Sequence, residues 1–288
     1  MTAVLCRRLV FLAALFGLTG AAHAAGTGYL GPAGSWTHEA CADLFGEADL
    51  RPLDRAALFA AYRGGEIERM CVPVTTVAVG VTPYVDDVLD LPQVRVVAEY
   101  PKPLSYSLLA KPGARLEDVS EVVAHSVALV AVKPWLDVHL PAARRTEAVS
   151  NGAAAKSVAE GQARSVASMG PKLGERIYGL KSLADGIEEG PHNITRFWVL
   201  GRALPAPSGN DKTSLVIDTV DGRLADVLKA FDAGGVRILD IYERPSKVRL
   251  DQHRYLIEVA GHAAEGNLAT FLAAHPEIQV LGSYPRKY

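Results

Sequence analysis

Short runs rich in Val, Ile and Leu alternate with segments of helical spacing along most of this 288-residue chain, and one Pro- and Gly-rich stretch interrupts the series. The alternation restricts the chain to an α/β architecture, because strands separated by helices pair most readily as largely parallel sheets with the helices on their faces. Before the interruption, strands are expected over 27–30, 69–74, 94–99, 105–111, 119–124 and 145–149. Helices are expected after the turn Gly31–Ser35 and over 56–63, 127–136 and 153–160, and the links 165–168 and 177–180 flank a helical turn. Gly201–Asp211, with Pro205, Pro207, Gly209 and Asn210, reads as a linker. After it come a strand over 213–220, a helix over 224–233, strands over 236–242 and 254–260, a helix over 265–274 and a strand over 278–284. That order is a βαββαβ, ferredoxin-like unit.

Composition excludes several function classes. The formal net charge is −2 and no basic run occurs, which argues against nucleic acid as a partner. There is no P-loop, dinucleotide fingerprint or G-x-S-x-G run, and the eight His show no metal-ligand spacing with Cys or carboxylates. No cofactor and no metal are expected. At the start, Arg7 and Arg8 precede an apolar stretch, Leu9–Leu18, and Ala22-His23-Ala24 follows. This is the pattern of a cleaved signal over 1–24, which implies a mature chain from Ala25 and an exported, periplasmic protein. The apolar stretch is shorter than the roughly 20 residues a membrane-spanning helix needs. Cleavage leaves Cys41 and Cys71. In an oxidising compartment the two can bridge; two buried free thiols are the alternative.

Two local features suit a site. The turn Gly31-Pro32-Ala33-Gly34-Ser35 opens a helix, and the free N–H groups there, together with the helix dipole, favour an anion such as a carboxylate. The run Asn193–Leu200 begins with polar residues and joins the two α/β units. Asn193-Ile194-Thr195 also has the form of a glycosylation sequon, read here as chance.

Four stretches carry a resemblance. Tyr29–Ser35 follows Y-L-G-P-x-G with Ser next. Val72-Pro73-Val74, with Gly80, falls on V-P-x-E-N-S-x-x-G. The stretch from His125 to Trp135-Leu136 falls on a motif beginning H-P-Q-A-L, and Asn193–Phe197 matches N-x-T-R-F throughout. Gly222-Arg223-Leu224 and Arg244-Pro245 echo two motifs of the C-terminal half. The chain resembles prephenate dehydratases that carry a C-terminal ACT regulatory domain. The resemblance implies a two-lobed, periplasmic-binding-protein-like catalytic domain over 25–203 and an ACT domain over 211–288. It implies loss of carbon dioxide and water from prephenate to give phenylpyruvate, a step of phenylalanine biosynthesis, with Thr195 protonating the departing hydroxyl. Ser35, Thr75, Thr76, Ser150, Asn193, Arg196 and Phe197 would bind substrate, with Arg196 and the Ser35 turn on carboxylate. Gly222, Leu224, Glu243 and Arg244 would form a phenylalanine site, in a homodimer or homotetramer.

The chain also departs from the family pattern. Thr75-Thr76-Val77 replaces E-N-S, and Val127 and Ala131 replace two glutamines. Asn151-Gly152-Ala153 follows Ser150 where the family has T-A-E, Tyr106 stands where His is usual, and Tyr242-Glu243-Arg244-Pro245 replaces E-S-R-P. Hydrogen-bonding groups give way to apolar or shorter ones, and each lost bond to a ligand costs roughly 1–3 kcal/mol. Three functions follow as alternatives: a prephenate dehydratase-like lyase with a degenerate pocket, a non-catalytic protein sensing an aromatic or small carboxylate, or a related prephenate decarboxylase.

Overall fold

A computed structural model describes residues 26–190 and 193–288; the expected signal segment lies outside these residues. Among the described residues no helix is long and apolar enough to cross a membrane. The chain begins with β1 (Thr27–Leu30), α1 (Trp36–Phe45), β2 (Leu50–Leu53), α2 (Arg55–Arg63), β3 (Arg69–Thr76), β4 (Gly80–Val81), α3 (Tyr84–Leu89) and β5 (Val96–Pro103). It then crosses into a second lobe made of β6 (Ser107–Ala110), β7 (Glu121–Ala124), α4 (Ser126–Ala131), α5 (Lys133–His139), β8 (Arg144–Glu147), α6 (Asn151–Glu160), β9 (Val166–Gly170), α7 (Leu173–Tyr178) and β10 (Lys181–Asp185). A second crossing returns it to the first lobe as β11 (Ile194–Leu200).

The first sheet has the order β2-β1-β3-β11-β5, with β4 paired to β3, and the second has the order β10-β6-β9-β7-β8. Largely parallel sheets were the sequence expectation, but both are mixed. β1 runs parallel to β2 and β3, whereas β11 comes back antiparallel to both β3 and β5. A strand that re-enters straight from the other lobe has no crossover helix to reverse it, so it pairs antiparallel. The run 193–200 is therefore no polar joining segment but mostly a buried strand inside the first sheet.

Other departures have local causes. The helix expected over 127–136 is two helices, α4 and α5, meeting at Val132. Pro134 has no N–H to give and crowds the preceding turn, so it fits only near a helix start. β2 contains Pro52 and lies at a sheet edge, where a missing N–H is tolerated. The link expected over 165–168 is instead β9, a central strand of the second sheet, and the other expected elements are present with their ends moved by one or a few residues.

After the coil 201–210 come β12 (Asp211–Val220), α8 (Leu224–Ala233), β13 (Ile238–Arg244), β14 (Gln252–Ala260), α9 (Gly266–Ala274) and β15 (Gln279–Pro285). Their antiparallel order β13-β14-β12-β15 is that of a ferredoxin-like βαββαβ unit. One side of the sheet packs with α8 and α9 through Leu215, Phe231, Ile257 and Phe271. Val216, Leu256, Leu281 and Tyr284 instead join Trp198, Leu200 and Val96 in the core of the first lobe. The approach is so close that a Cβ on Gly282 would overlap the Val96 carbonyl. The C-terminal unit and the first lobe share one apolar core.

Candidate active site

A cavity of about 410 Å³ lies between the two lobes. The first lobe supplies the end of β1, the start of α1, the β3–β4 hairpin and β11, and the second supplies the starts of α4 and α6. Thr195 and Phe197 both face it, from alternate positions of β11. The Thr195 side chain is buried, and its hydroxyl has no hydrogen-bond partner among the described residues. The same cavity reaches Gly31 and Ser35, so the hydroxyl and the Gly-Pro-Ala-Gly-Ser turn share one space.

Two ten-residue helices begin at this cavity. Ser35 caps α1, accepting from the His38 N–H at 3.2 Å, and Ser150 caps α6, accepting from the Ala153 N–H at 3.1 Å. Ser35 also donates to the Leu30 carbonyl at 3.3 Å, so its hydroxyl is spent on the backbone, and the N–H groups of each first turn are left for a ligand. Gly152 lets the two ends meet. A Cβ there would lie 2.9 Å from Pro32 Cγ and 3.1 Å from the Ala33 carbonyl oxygen. Each helix N-terminus carries about half a positive elementary charge, so the pair favours an anion although no Lys, Arg, Asp or Glu among the described residues lines the cavity.

The first-lobe turn is braced from behind. Tyr29 stacks on His38 at 4.8 Å, and His38 Nδ1 accepts from the Gly34 N–H at 3.1 Å. Burial lowers the His38 pKa below its ordinary value, with the Glu47 carboxylate, 3.2 Å from Nε2, pulling partly the other way. Cys41 of α1 and Cys71 of β3 are joined as a disulfide, with Cα atoms 6.5 Å apart, which ties the helix to the sheet.

Several expected binding residues lie elsewhere. Arg196 sits between Thr195 and Phe197, and successive strand side chains point to opposite faces, so it turns away from the cavity. It is buried against the C-terminal unit, with Nη1 donating to the two Glu258 oxygens at 2.6 and 2.8 Å and Nε donating to Thr75 Oγ1 at 3.0 Å. Lys212 Nζ and Arg196 Nη1 both reach Glu99 Oε2, at 2.9 and 3.3 Å. Burial works against the Arg196 charge, but Glu258 together with Tyr284 and Tyr288 outweighs it and holds the pKa above that of an ordinary arginine. Thr75 belongs to this charge cluster and not to the cavity; Thr76 lines the cavity, its Oγ1 accepting from the Val79 N–H at 3.0 Å. Asn193 does not line the cavity either. Its carbonyl accepts from the Leu104 N–H at 2.6 Å and ties the two lobe crossings together.

Of the apolar replacements, Val127 lines the cavity, whereas Ala131 packs on the second-lobe core and Val77 is exposed. In the C-terminal unit, Gly222 has a φ of 76° and Leu224 starts α8. Glu243 contacts His253 Nδ1 at 2.6 Å, and Arg244 is bidentate to Asp86 of α3 at 2.8 and 2.6 Å. Arg244 is thus already committed to the first lobe. The sequence reading did not put Trp36, Thr37, His125 or Asn151 in the site, yet all four line the cavity. The available signal was position, since each lies at or next to a capped helix start.

The family model "Prephenate dehydratase" matches residues 27–204. The chain belongs to the prephenate dehydratase family. The prephenate dehydratase of Mycolicibacterium gilvum is 32% identical over 282 residues, spanning 90% of this chain and 91% of that one. The bifunctional chorismate mutase/prephenate dehydratase of Neisseria gonorrhoeae is 30% identical over 267 residues, spanning 89% of this chain and 73% of that one. Among solved structures, the prephenate dehydratase of Arthrobacter aurescens in complex with L-Phe superposes with a TM-score of 0.82 at 31% identity, covering 91% of this chain and 90% of that one. A protein described as a novel type of quorum quenching acylase also gives a TM-score of 0.82, at 22% identity, with 91% and 98% covered. That last likeness is one of fold alone.

Proposed function

We propose that the chain is a lyase converting prephenate to phenylpyruvate in the cavity between the lobes. The observation that carries the reading is the Thr195 hydroxyl, without a partner among the described residues, in the same space as two helix N-termini. The helix ends hold carboxylate. As the bond to the ring carboxylate breaks, its electrons enter the ring and the ring C–O bond breaks. Thr195 donates its proton to the departing oxygen, which leaves as water, and the Thr195 oxygen regains a proton from solvent. Prephenate thereby yields phenylpyruvate, carbon dioxide and water. Incubation of the protein with prephenate at neutral pH, followed by phenylpyruvate absorbance, tests it. Formation no faster than in buffer, and unchanged in Thr195→Ala, overturns it.

The apolar wall of Val79, Val81, Val127 and Val149 favours a second reading, a ligand-binding protein without turnover. Thermal stabilisation by phenylpyruvate without any conversion of prephenate would select it. In either case we propose that the C-terminal unit is an ACT domain binding phenylalanine, in a homodimer or homotetramer, and that residues 1–24 direct export to the periplasm. Titration calorimetry with L-Phe, light scattering, and N-terminal sequencing of the periplasmic protein test these three points.

A further inference from the structure

The first lobe crossing places Tyr106 at the base of the cavity, one residue before β6. Its side chain is 3% exposed. Its backbone is fixed from the second crossing, with its N–H donating to Glu188 Oε2 at 2.8 Å and its carbonyl accepting from the Ile187 N–H at 3.3 Å. Its ring meets Trp36 of α1 edge-on, with centroids 5.2 Å apart and planes at 74°. The phenol is therefore held by packing from both lobes, yet its hydroxyl has no partner among the described residues. The neighbouring Trp36 Nε1–H is buried without an acceptor. Buried donors are normally satisfied, so an orphaned indole N–H touching a cavity-lining phenol that has no partner among the described residues marks a place where an acceptor belongs.

We propose that Tyr106 is a specificity-determining residue whose hydroxyl donates a hydrogen bond to an uncharged acceptor oxygen of the ligand, the keto oxygen of an α-keto acid side chain. Burial, with the Glu188 carboxylate adding to it, pushes the phenol up to about 12, so it is a donor throughout the physiological range. The same Glu188 charge disfavours a carboxylate at this spot. Carboxylates go to the starts of α1 and α6, and the keto oxygen is left for Tyr106. This division rests on the α-keto acid reading above and adds the group that tells such an acid from its deoxy analogue.

The test pairs removal of the ligand oxygen with removal of the protein hydroxyl. Phenylpyruvate and 3-phenylpropanoate, which lacks the keto oxygen, are titrated by calorimetry into the wild-type protein and Tyr106→Phe, with melting temperatures as a control. The wild type should prefer phenylpyruvate roughly ten-fold, the discrimination expected when a buried donor is left unpaired. In Tyr106→Phe the preference should shrink to within about two-fold through weaker phenylpyruvate binding, with the melting temperature unchanged. An undiminished preference in Tyr106→Phe overturns the assignment, as does a wild type that binds neither acid or both equally. Absence of prephenate turnover alongside a Tyr106-dependent preference would remove the lyase reading and leave the keto-oxygen subsite standing.

Discussion

The two faces of β11 are built on opposite principles. Toward the cavity, Thr195 and Phe197 look onto a wall with no Lys, Arg, Asp or Glu among the described residues, where the starts of α1 and α6 lie and the Thr195 hydroxyl has no partner among those residues. Toward the C-terminal unit, Arg196, Glu99, Glu258 and Lys212 form a cluster of four charges, each at most 3% exposed and each paired with an opposite charge. One face leaves a polar group open to the cavity. The other closes them against one another permanently. Stability and chemistry are thereby assigned to adjacent residues of one strand.

The largest effect should come from the closed face. Arg196→Ala leaves Glu258 without its closest cation and should cost about 3–5 kcal/mol, read from urea unfolding midpoints. A loss under about 1 kcal/mol would mean the cluster does not hold the two units together. Reduction of Cys41–Cys71 releases a loop with a sequence separation of 30 and should cost about 3 kcal/mol. It should also weaken ligand binding, because the bond anchors α1. On the open face, Thr195→Ala should lower kcat about 100-fold, near 2.7 kcal/mol of barrier, with the unfolding midpoint unmoved. An equal fall in stability would contradict the division between the faces.

The smallest effect concerns pH. His38 has a folded pKa below the unfolded value near 6.5, so the unfolded chain binds its proton more readily. The stability that neutral His38 contributes is complete above pH 6.5 and is lost as pH falls through that value toward the folded pKa. Protonation of Nδ1 also ends its acceptance of the Gly34 N–H. A melting-temperature profile from pH 8 to 5 should fall at the acid end, and His38→Gln should flatten it.

The C-terminal unit was legible because its strands and helices have strong, well-separated periods and close on themselves. The edge strands β2 and β10 were not, since an edge strand needs little of the apolar pattern that identifies a buried one. For the site, position on a helix start or a strand face decided the outcome. Ser35 was read at a helix start, whereas Ser150 entered only through the resemblance, three residues before the helix expected over 153–160; in the structure both oxygens cap their helices. Arg196 and Thr75 were misplaced because a motif read as a unit ignores the two-residue alternation of a strand. Tyr106 looked like a lost histidine in sequence. That its hydroxyl has no partner among the described residues depends on how two lobe crossings meet, which no local pattern encodes.

The shared core and the Arg196–Glu258 pair make the unit that begins at Asp211 something other than a detachable module. Severing the chain within 201–210 would strand Arg196 and Glu99 on newly bared apolar surface, one peptide away from the hydroxyl assigned to the chemistry. A shortened form would then be inactive for reasons of solubility and strand disorder, and its silence could not be counted as evidence for or against a feedback role.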